Sequence, residues 1–490
     1  MKVQDVGFGT SGVRGRVEDL TDAVCMAYTR AFLQMVEVLD SLSAGRTVAL
    51  GIDLRPSSPA IATACAAAVR KAGYAVEYCG ILPTPALAFH ARSRGLPAVM
   101  VTGSHIPFDR NGIKFYRASG EISKAEEAMI AQTLKLTADP PVNHCRLPPE
   151  SPVARQRYVH RYLDFFPPRF LSGLTLGVYQ HSSVARDLIG QVLERFGARV
   201  VNLGRTDSFV PIDTEAVSLA DAEKACEWAA QHRVDAILST DGDADRPLIS
   251  DENGAWFRGD LVGILSAQYL CADTVVTTVN CNTALELCAK FSRVCRTRIG
   301  SPYVIEGMES CLAGDPYPGV VAGFEPNGGF LLGSPVELRG RWLEPLLTRD
   351  ALLPMLCLLA MARDSGMPLS ALRNILPARF TASDRLQDFP TAMSQALIGS
   401  LSESTEKIAT LLHGVCGRPL ATDGTDGLRI TLDGDEVVHF RSSGNAPELR
   451  CYVEASSEAR ARHLVGAALQ RFLSVAMSER SLPPNCAKIN

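Results

Sequence analysis

The sequence predicts an α/β chain, three successive α/β units followed by a smaller α+β segment, and three observations predict it. The chain has 490 residues, too many for one domain when domains run to roughly 100–200 residues each. Runs rich in Val, Ile and Ala alternate with segments of helical period through about the first 370 residues, which is the grammar of repeated βαβ units. After Met367 the rhythm changes, and Pro368 and Leu369 open a stretch that reads helix, paired strands, final helix.

Taken in order, Thr47–Ile52 reads as a strand, 58–73 as an Ala-rich helix closed by Gly73, and 75–79 as a second strand. Ala98–Val101 is another short apolar strand. Segment 139–152 carries Pro140, Pro141, Pro148, Pro149 and Pro152, a density that no regular element tolerates, and it marks the first domain boundary. Residues 174–179 and 234–238 read as strands enclosing the helix of a second unit, and a third unit begins near Trp256. The resulting division is 1–150, 151–255, 256–367 and 368–490, with a last helix over 458–474. No close internal repeat is present, although three units of similar size are compatible with a decayed one.

Composition narrows the function classes. Hydrophobic residues make up 46% and charged residues 21%, as in a globular protein. A net charge of -4 and a pI of about 6.2 give no global attraction to nucleic acid or to an anionic membrane, so any anion site must be built locally. The opening MKVQDVGFGT does not read as a secretory signal, and the expected location is cytoplasmic. Stretch 351–362 is the most apolar, but with Pro354 inside it and a length short of the roughly 20 residues that span a bilayer it reads as a buried helix. The 14 cysteines are scattered without a CxxC pair and are expected as reduced core thiols.

Four loops carry residue types suited to chemistry. Val101-Thr102-Gly103-Ser104-His105-Ile106-Pro107 follows a strand, and its tight turn holds the Ser104 hydroxyl outward as a nucleophile or phosphate carrier; an ordinary polar turn is the plain alternative. Lys114, just beyond, has the reach to steady charge or shuttle a proton there. Asp241-Gly242-Asp243-Ala244-Asp245-Arg246 places carboxylates at alternate positions, able to converge on Mg2+. Glu252 stands twelve residues in, as a calcium EF-hand loop would require, but Arg246 occupies the position of that loop's glycine. In Gly323-Phe324-Glu325-Pro326-Asn327-Gly328-Gly329, Glu325 and Asn327 can grip adjacent sugar hydroxyls, or the segment is a simple Gly/Pro/Asn turn. Finally, Arg441-Ser442-Ser443-Gly444-Asn445-Ala446-Pro447, with Arg450 on the next strand, offers a guanidinium fork and neutral donors to a phosphate, or is a plain hairpin.

Together and in this order, the loops resemble those of the α-D-phosphohexomutase superfamily across nearly the whole chain. The opening Phe8-Gly9-Thr10-Ser11-Gly12-Val13-Arg14-Gly15 is similar to that family's amino-terminal signature, as is Gly51-Ile52-Asp53-Leu54-Arg55 with Ser57 and Ser58. The resemblance implies three mixed-sheet α/β domains and a smaller α+β domain around a central cleft, each giving one loop. It implies Ser104 as the phosphorylated residue and a Mg2+ ligand together with Asp241, Asp243 and Asp245. Arg14, Lys114 and His105 are implied as close catalytic helpers, with Lys114 as general acid/base. Substrate contacts are implied for Arg246, Gly300, Glu325, Asn327, Arg441, Ser443, Gly444, Asn445 and Arg450.

The implied reaction moves a phosphoryl group from Ser104 to a hexose 1- or 6-phosphate and recovers it from the bound 1,6-bisphosphate, which also serves as activator. Small hexose phosphates are the expected partners of a monomer or homodimer. Thr10-Ser11-Gly12 resembles the mannose/glucose branch, whereas Phe324-Glu325-Pro326-Asn327-Gly328 is similar to the N-acetylglucosamine-phosphate branch, with a phosphoglucosamine mutase a further alternative. Ile106, Gly329 and Ser301-Pro302 depart from the usual residues and bear on the choice of sugar. A sugar phosphatase and a non-catalytic sugar-phosphate sensor are the rivals from other classes. The intact sugar and phosphate loops argue against hydrolysis, and the intact serine and aspartates argue against a sensor.

Overall fold

Alternating side chains on Thr47–Ile52 set the first layer: Val48, Leu50 and Ile52 pack under the helices Asp22–Leu39 and Ser58–Lys71, while Ala49 faces Leu87 of the helix Thr84–Arg94. The computed structural model describes residues 6–40, 46–134, 146–315, 319–443, 447–478 and 488–489. Pro140 and Pro141 of the proline-rich segment, and Gly444 and Asn445 of the fourth loop, lie outside them. Thr47–Ile52 runs parallel to Ala75–Ile81 and Ala98–Val101, and Ala98–Val101 pairs antiparallel with Arg110–Arg117. Val13–Arg16, Gly7–Phe8 and Gly120–Glu121 complete a mixed sheet of seven strands.

The second sheet orders Pro247–Ile249, Ala236–Thr240, Thr175–His181 and Arg199–Arg205, and the third orders Arg293–Thr297, Thr274–Thr278, Val321–Phe324, Phe330–Leu332 and Leu346–Asp350. Both mix parallel and antiparallel pairs. The C-terminal sheet pairs its six strands antiparallel against the helices Thr391–Ser402, Thr405–Leu412 and Glu458–Ser478. The architecture is therefore three α/β domains and a C-terminal α+β domain.

In each of the first three sheets a parallel strand turns back into an antiparallel neighbour, and the pairs Val101↔Ile113, Thr240↔Pro247 and Phe324↔Phe330 close the connection. Ser442↔Leu449 closes the corresponding connection in the C-terminal sheet. These four connections are the four loops singled out in the sequence. Each sits at the C-terminal end of a strand, where open α/β sheets hold their ligands.

Strand limits shift slightly from the sequence reading. The strand read at 234–238 is Ala236–Thr240, because Arg233 caps the preceding helix in a left-handed conformation (φ 50°) and the Asp235 carboxylate accepts the Thr175 amide.

One continuous core runs through the first three units, joining Leu87, Tyr162, Leu193, Phe324 and Leu356, while the C-terminal domain has its own around Leu386, Phe440, Leu469 and Phe472. The apolar stretch 351–362 lies in the helix Leu352–Ser365, whose residues 352–360 are all buried. Among the described residues no single helix is long and apolar enough to cross a membrane. The pair Leu352–Ser365 and Leu369–Ile375, bent by 88°, passes that test by length and composition, but its first member is core. The described cysteines are all free, and most are buried.

Candidate active site

Ser104 sits in a left-handed turn (φ 51°), a conformation that costs a non-glycine residue about 1–2 kcal/mol and needs support from its surroundings. That support is Arg55. Its fully buried guanidinium donates to the carbonyls of Ser104 (2.9 Å), Pro107 (2.8 Å), Arg110 (3.0 Å) and Ile106. Gly103 is obligatory there, because a Cβ would lie 2.3 Å from the Arg55 Nε. Asp53 anchors the arrangement, accepting the Gly103 amide at 3.1 Å and lying 3.3 Å from Arg55 Nε, and the Phe209 ring of the second unit lies 4.0 Å from the guanidinium carbon.

The serine does not point outward as the sequence suggested; it is 1% exposed, because the carboxylate loop of the second unit closes over it. Its Oγ donates to Asp241 Oδ2 at 2.6 Å and lies 3.3 Å from His105 Nδ1. Arg246 donates to the same His105 nitrogen at 3.0 Å, which places the imidazole proton on Nε2. Burial, then the nearby Arg246 and Arg14 charges, hold His105 well below its ordinary range, so it is neutral.

Asp241, Asp243 and Asp245 are all buried, with one oxygen of each lying within 4.8 Å of the others. Lys114 Nζ bridges Asp243 (2.7 Å) and Asp245 (2.8 Å), and the Thr84 hydroxyl donates to Asp243 at 2.6 Å. Burial, then the charges of Asp243 and Asp245, pushes Asp241 well above the carboxylate range. Burial also opposes charge on Asp243, but Lys114 overcomes it and holds that group low. Burial likewise opposes charge on Lys114, yet the two carboxylates raise it, so it is an ammonium.

Asp243 Oδ1 and Asp245 Oδ1 are buried without a hydrogen-bond partner, although Arg246 Nε lies 3.6 Å from the latter, and such an arrangement is costly unless a further positive group belongs beside them. Converging carboxylate oxygens next to a serine hydroxyl are the donor set of a hard divalent cation, and these residues fit one. The calcium-loop alternative fails, because Glu252 turns away to accept the Ser370 amide at 3.1 Å and Pro247–Ile249 is already a paired strand. A second grouping, Glu77, Cys79 and His90, is occupied internally, since His90 bonds Glu77 at 3.0 Å and Arg94 does so at 2.9 Å.

Arg349 joins the third loop to the second. It donates to Asp245 Oδ2 at 2.7 Å through Nη2 and to Glu325 Oε2 at 3.0 Å through Nη1. Asn327 uses its side-chain oxygen to accept the Gly329 amide (2.9 Å), and its carbonyl accepts the Thr214 hydroxyl (2.7 Å). Gly259 packs on this loop backbone to backbone, and a Cβ there would lie 2.3 Å from Gly328 N and Pro326 O. Gly259→Ala is therefore expected to cost about 2 kcal/mol and to lower the thermal midpoint measurably; an unchanged melting curve would show that the loop yields freely.

The structure thus brings together Ser104, His105, Lys114, Asp241, Asp243, Asp245, Arg246 and, through Arg349, Glu325. Arg14 joins them, donating to the Thr102 carbonyl at 2.6 Å with the Asp243 and Asp245 charges nearby. Arg441, Ser443 and Arg450 form a separate group on the C-terminal domain, in which Arg441 Nε donates to Asp426 at 2.9 Å. Glu215 lies between the groups, where the charges of Arg450, Arg258 and Arg246 act on its half-buried carboxyl. Gly300 stands at the start of the helix Ser301–Gly314, against Thr10 of the first unit. Arg349, Thr84, Thr214, Glu215 and Asp426 escaped the sequence reading. Asp53 and Arg55 were visible only as part of a motif, with no role attached.

Comparison with known proteins agrees with this geometry. Three domains of the phosphoglucomutase/phosphomannomutase family match the chain: α/β/α domain I over residues 5–139, domain II over 157–254 and domain III over 258–380. A phosphomannomutase of Salmonella muenchen is 47% identical over 469 residues, 96% of this chain and 96% of its own. One of Sinorhizobium fredii is 44% identical over 466 residues, 94% of this chain and 98% of its own. The crystal structure of a phosphoglucomutase/phosphomannomutase family protein from Burkholderia thailandensis, 21% identical and covering 98% of each chain, has the same fold at a TM-score of 0.70. With relatives this similar along almost its full length, and with the serine and carboxylate loops in contact, the chain belongs to the phosphoglucomutase/phosphomannomutase family of the α-D-phosphohexomutase superfamily.

Proposed function

We propose that this enzyme is a phosphomannomutase, interconverting mannose 1-phosphate and mannose 6-phosphate through a phosphoryl group carried on Ser104, with glucose phosphates as secondary substrates. The observation that carries the mechanism is the 2.6 Å contact between Ser104 Oγ and Asp241, beside two buried carboxylate oxygens that lack hydrogen-bond partners. The names of the Salmonella and Sinorhizobium relatives support the choice of sugar.

In this reading each division, 1–150, 151–255, 256–367 and 368–490, gives one loop to a common cleft. The Ser104 Oγ–phosphorus bond breaks as a bond forms between phosphorus and the free hydroxyl of the hexose phosphate. The resulting 1,6-bisphosphate turns round and returns its other phosphoryl group to Ser104. Such transfers depend mainly on positioning and charge stabilisation. Asp241, Asp243 and Asp245 would hold Mg2+, which when bound neutralises charge on the transferring group. Lys114, an ammonium in this arrangement, donates a proton as Ser104 Oγ leaves and recovers the one that the attacking hexose hydroxyl gives up, the exchange running in reverse on return, while Arg14 and Arg246 supply fixed positive charge. Glu325, held by Arg349, orients the sugar hydroxyls, and Arg441, Ser443 and Arg450 take the phosphate that is not reacting. A trace of hexose 1,6-bisphosphate primes the serine, and the enzyme acts on these small substrates in the cytoplasm.

Phosphorus NMR of mannose 1-phosphate, glucose 1-phosphate and N-acetylglucosamine 1-phosphate, with Mg2+ and a trace of the 1,6-bisphosphate, tests this. The 6-phosphate of mannose is expected to appear fastest, with EDTA abolishing conversion and Mg2+ restoring it. Inorganic phosphate alone would mean a phosphatase. No change with any sugar would leave the sensor reading, and preference for the N-acetylated sugar would move the enzyme to the other branch.

A further inference from the structure

We propose that Asp426 is a positioning residue that ties the C-terminal domain to the turn before the helix Ser301–Gly314 of the third unit, and thereby keeps the bisphosphate in the cleft while it turns round. This rests on the mutase reading above.

Asp426 lies in the turn between the strands Pro419–Asp423 and Leu428–Leu432. The turn is pressed flat on the strand Val437–Ser442, which carries Arg441. Gly427 has φ +87°, and a Cβ on it would lie 2.3 Å from the Phe440 carbonyl oxygen and 3.1 Å from Arg441 Cα. The Asp426 carbonyl is bonded to His439 Nε2 at 2.6 Å, which fixes the turn from the same strand. The carboxylate is thus delivered beside Arg441 by backbone packing and not by a flexible stem.

A single oxygen, Asp426 Oδ2, meets two donors from two domains. Arg441 Nε lies at 2.9 Å, and the backbone amide of Ile299 lies at 3.0 Å. A guanidinium held by Nε still presents its two terminal nitrogens as a fork, the geometry that grips a phosphate at two oxygens. Asp426 therefore aims Arg441 without competing for that fork.

The Ile299 contact gives the second half of the argument. Ile299 belongs to the short turn between the strand Arg293–Thr297 and the helix Ser301–Gly314. Its neighbour Gly300 (φ +133°) is packed against the first unit, where a Cβ would come within 2.9 Å of Thr10 Cγ2. The turn is consequently seated on the first unit and held from the other side by the C-terminal domain, through one carboxylate oxygen. That domain has a separate core, so its approach to the rest of the chain is a matter of such contacts: Glu454 accepts the Thr283 amide at 3.1 Å and Thr381 donates to Asp260 at 3.2 Å, while Asp426–Ile299 is the one that also reaches Arg441.

Chemistry supplies the reason for such a tie. A bisphosphate that must rotate has to release its grip on the arginine fork without escaping, so something other than the phosphate must keep the domain in place. The Asp426–Ile299 bond involves no substrate atom, so release of a phosphate by the Arg441 fork does not itself break it.

The test uses Asp426→Ala and Asp426→Asn in the full chain, assayed on mannose 1-phosphate with the added 1,6-bisphosphate varied. Asp426→Ala is expected to raise KM more than it lowers kcat, to reduce kcat/KM by about 10- to 100-fold, and to release free bisphosphate during turnover, so that about tenfold more of it is needed for half-maximal rate. Asp426→Asn, which keeps an acceptor oxygen but not the charge, is expected to fall between. If Asp426→Ala does not fold, the asparagine variant decides on the same readout. Folded variants whose KM and bisphosphate requirement equal those of the wild type overturn the proposal. Equal losses in kcat and KM with no bisphosphate released would mean a merely structural residue and overturn it too. A wild-type enzyme that fails to convert any hexose phosphate would instead sink the mutase reading, and this inference with it.

Discussion

Ser104→Ala is expected to lower kcat for hexose phosphate interconversion by at least about 10⁴-fold, because it removes the atom proposed to carry the phosphoryl group. His105, the adjacent nitrogen base, is held neutral and already accepts a bond from Arg246, so it is a poor substitute nucleophile. Binding should survive within several-fold, since Glu325, Arg441 and Arg450 take their positions from Arg349, Asp426 and Glu448, not from the serine. The alanine also leaves Asp241 one donor short, although that carboxylate keeps the amides of Asp245 and Arg246 at 3.2 and 3.3 Å. Calorimetric titration with mannose 1-phosphate, run beside the NMR assay, separates the two effects. Residual turnover above about one hundredth of the wild-type rate would place the phosphoryl group on some other residue.

Arg349→Met should produce the largest loss of stability. The guanidinium, almost fully buried, bridges Asp245 and Glu325, two carboxylates on different loops. Removing one partner of a buried ion pair leaves the others uncompensated and costs about 3–5 kcal/mol. Glu325 suffers most, because Asp245 keeps its contact with Lys114. An earlier first transition in urea is expected, together with a fall in kcat/KM of about 100-fold as Glu325 loses its fixed orientation. Arg349→Lys should recover only part of either quantity, since an ammonium lacks the fork that reaches both carboxylates. If the methionine variant unfolds and turns over like the wild type, the bridge does not organise the sugar loop.

The α/β class was legible because the central strands are buried on both faces and so stand out as unbroken apolar runs, as Ala98–Val101 does. The chemical loops were legible for a related reason: each packs its special residues into a few consecutive positions at the end of such a run. What the sequence hid is whatever depends on contact between units. Thr84 and Asp243 are 159 residues apart, Arg349 and Asp245 are 104 apart, and Ile299 and Asp426 are 127 apart. No local pattern marks an arginine on the edge strand Leu346–Asp350 as the partner of a distant aspartate. The depth of Ser104 was hidden in the same way, because Asp241 and Gly242 of the second unit lie against its turn. Strand limits moved by about two residues where a cap such as Arg233 has no distinctive residue type to announce it.

The grip of Arg55 also gives the serine loop an electrical direction. Every peptide bond among the described residues is trans, so a carbonyl turned toward the guanidinium turns the amide hydrogen of the same peptide the opposite way. With the Ser104 and Pro107 carbonyls on Arg55, the amide hydrogens of His105 and Phe108 point away from it. The loop is thereby a small polarised sheet, negative underneath and positive above, which favours an anion on its upper side. These peptide dipoles carry no titratable proton, so this part of the site's attraction for anions is independent of pH.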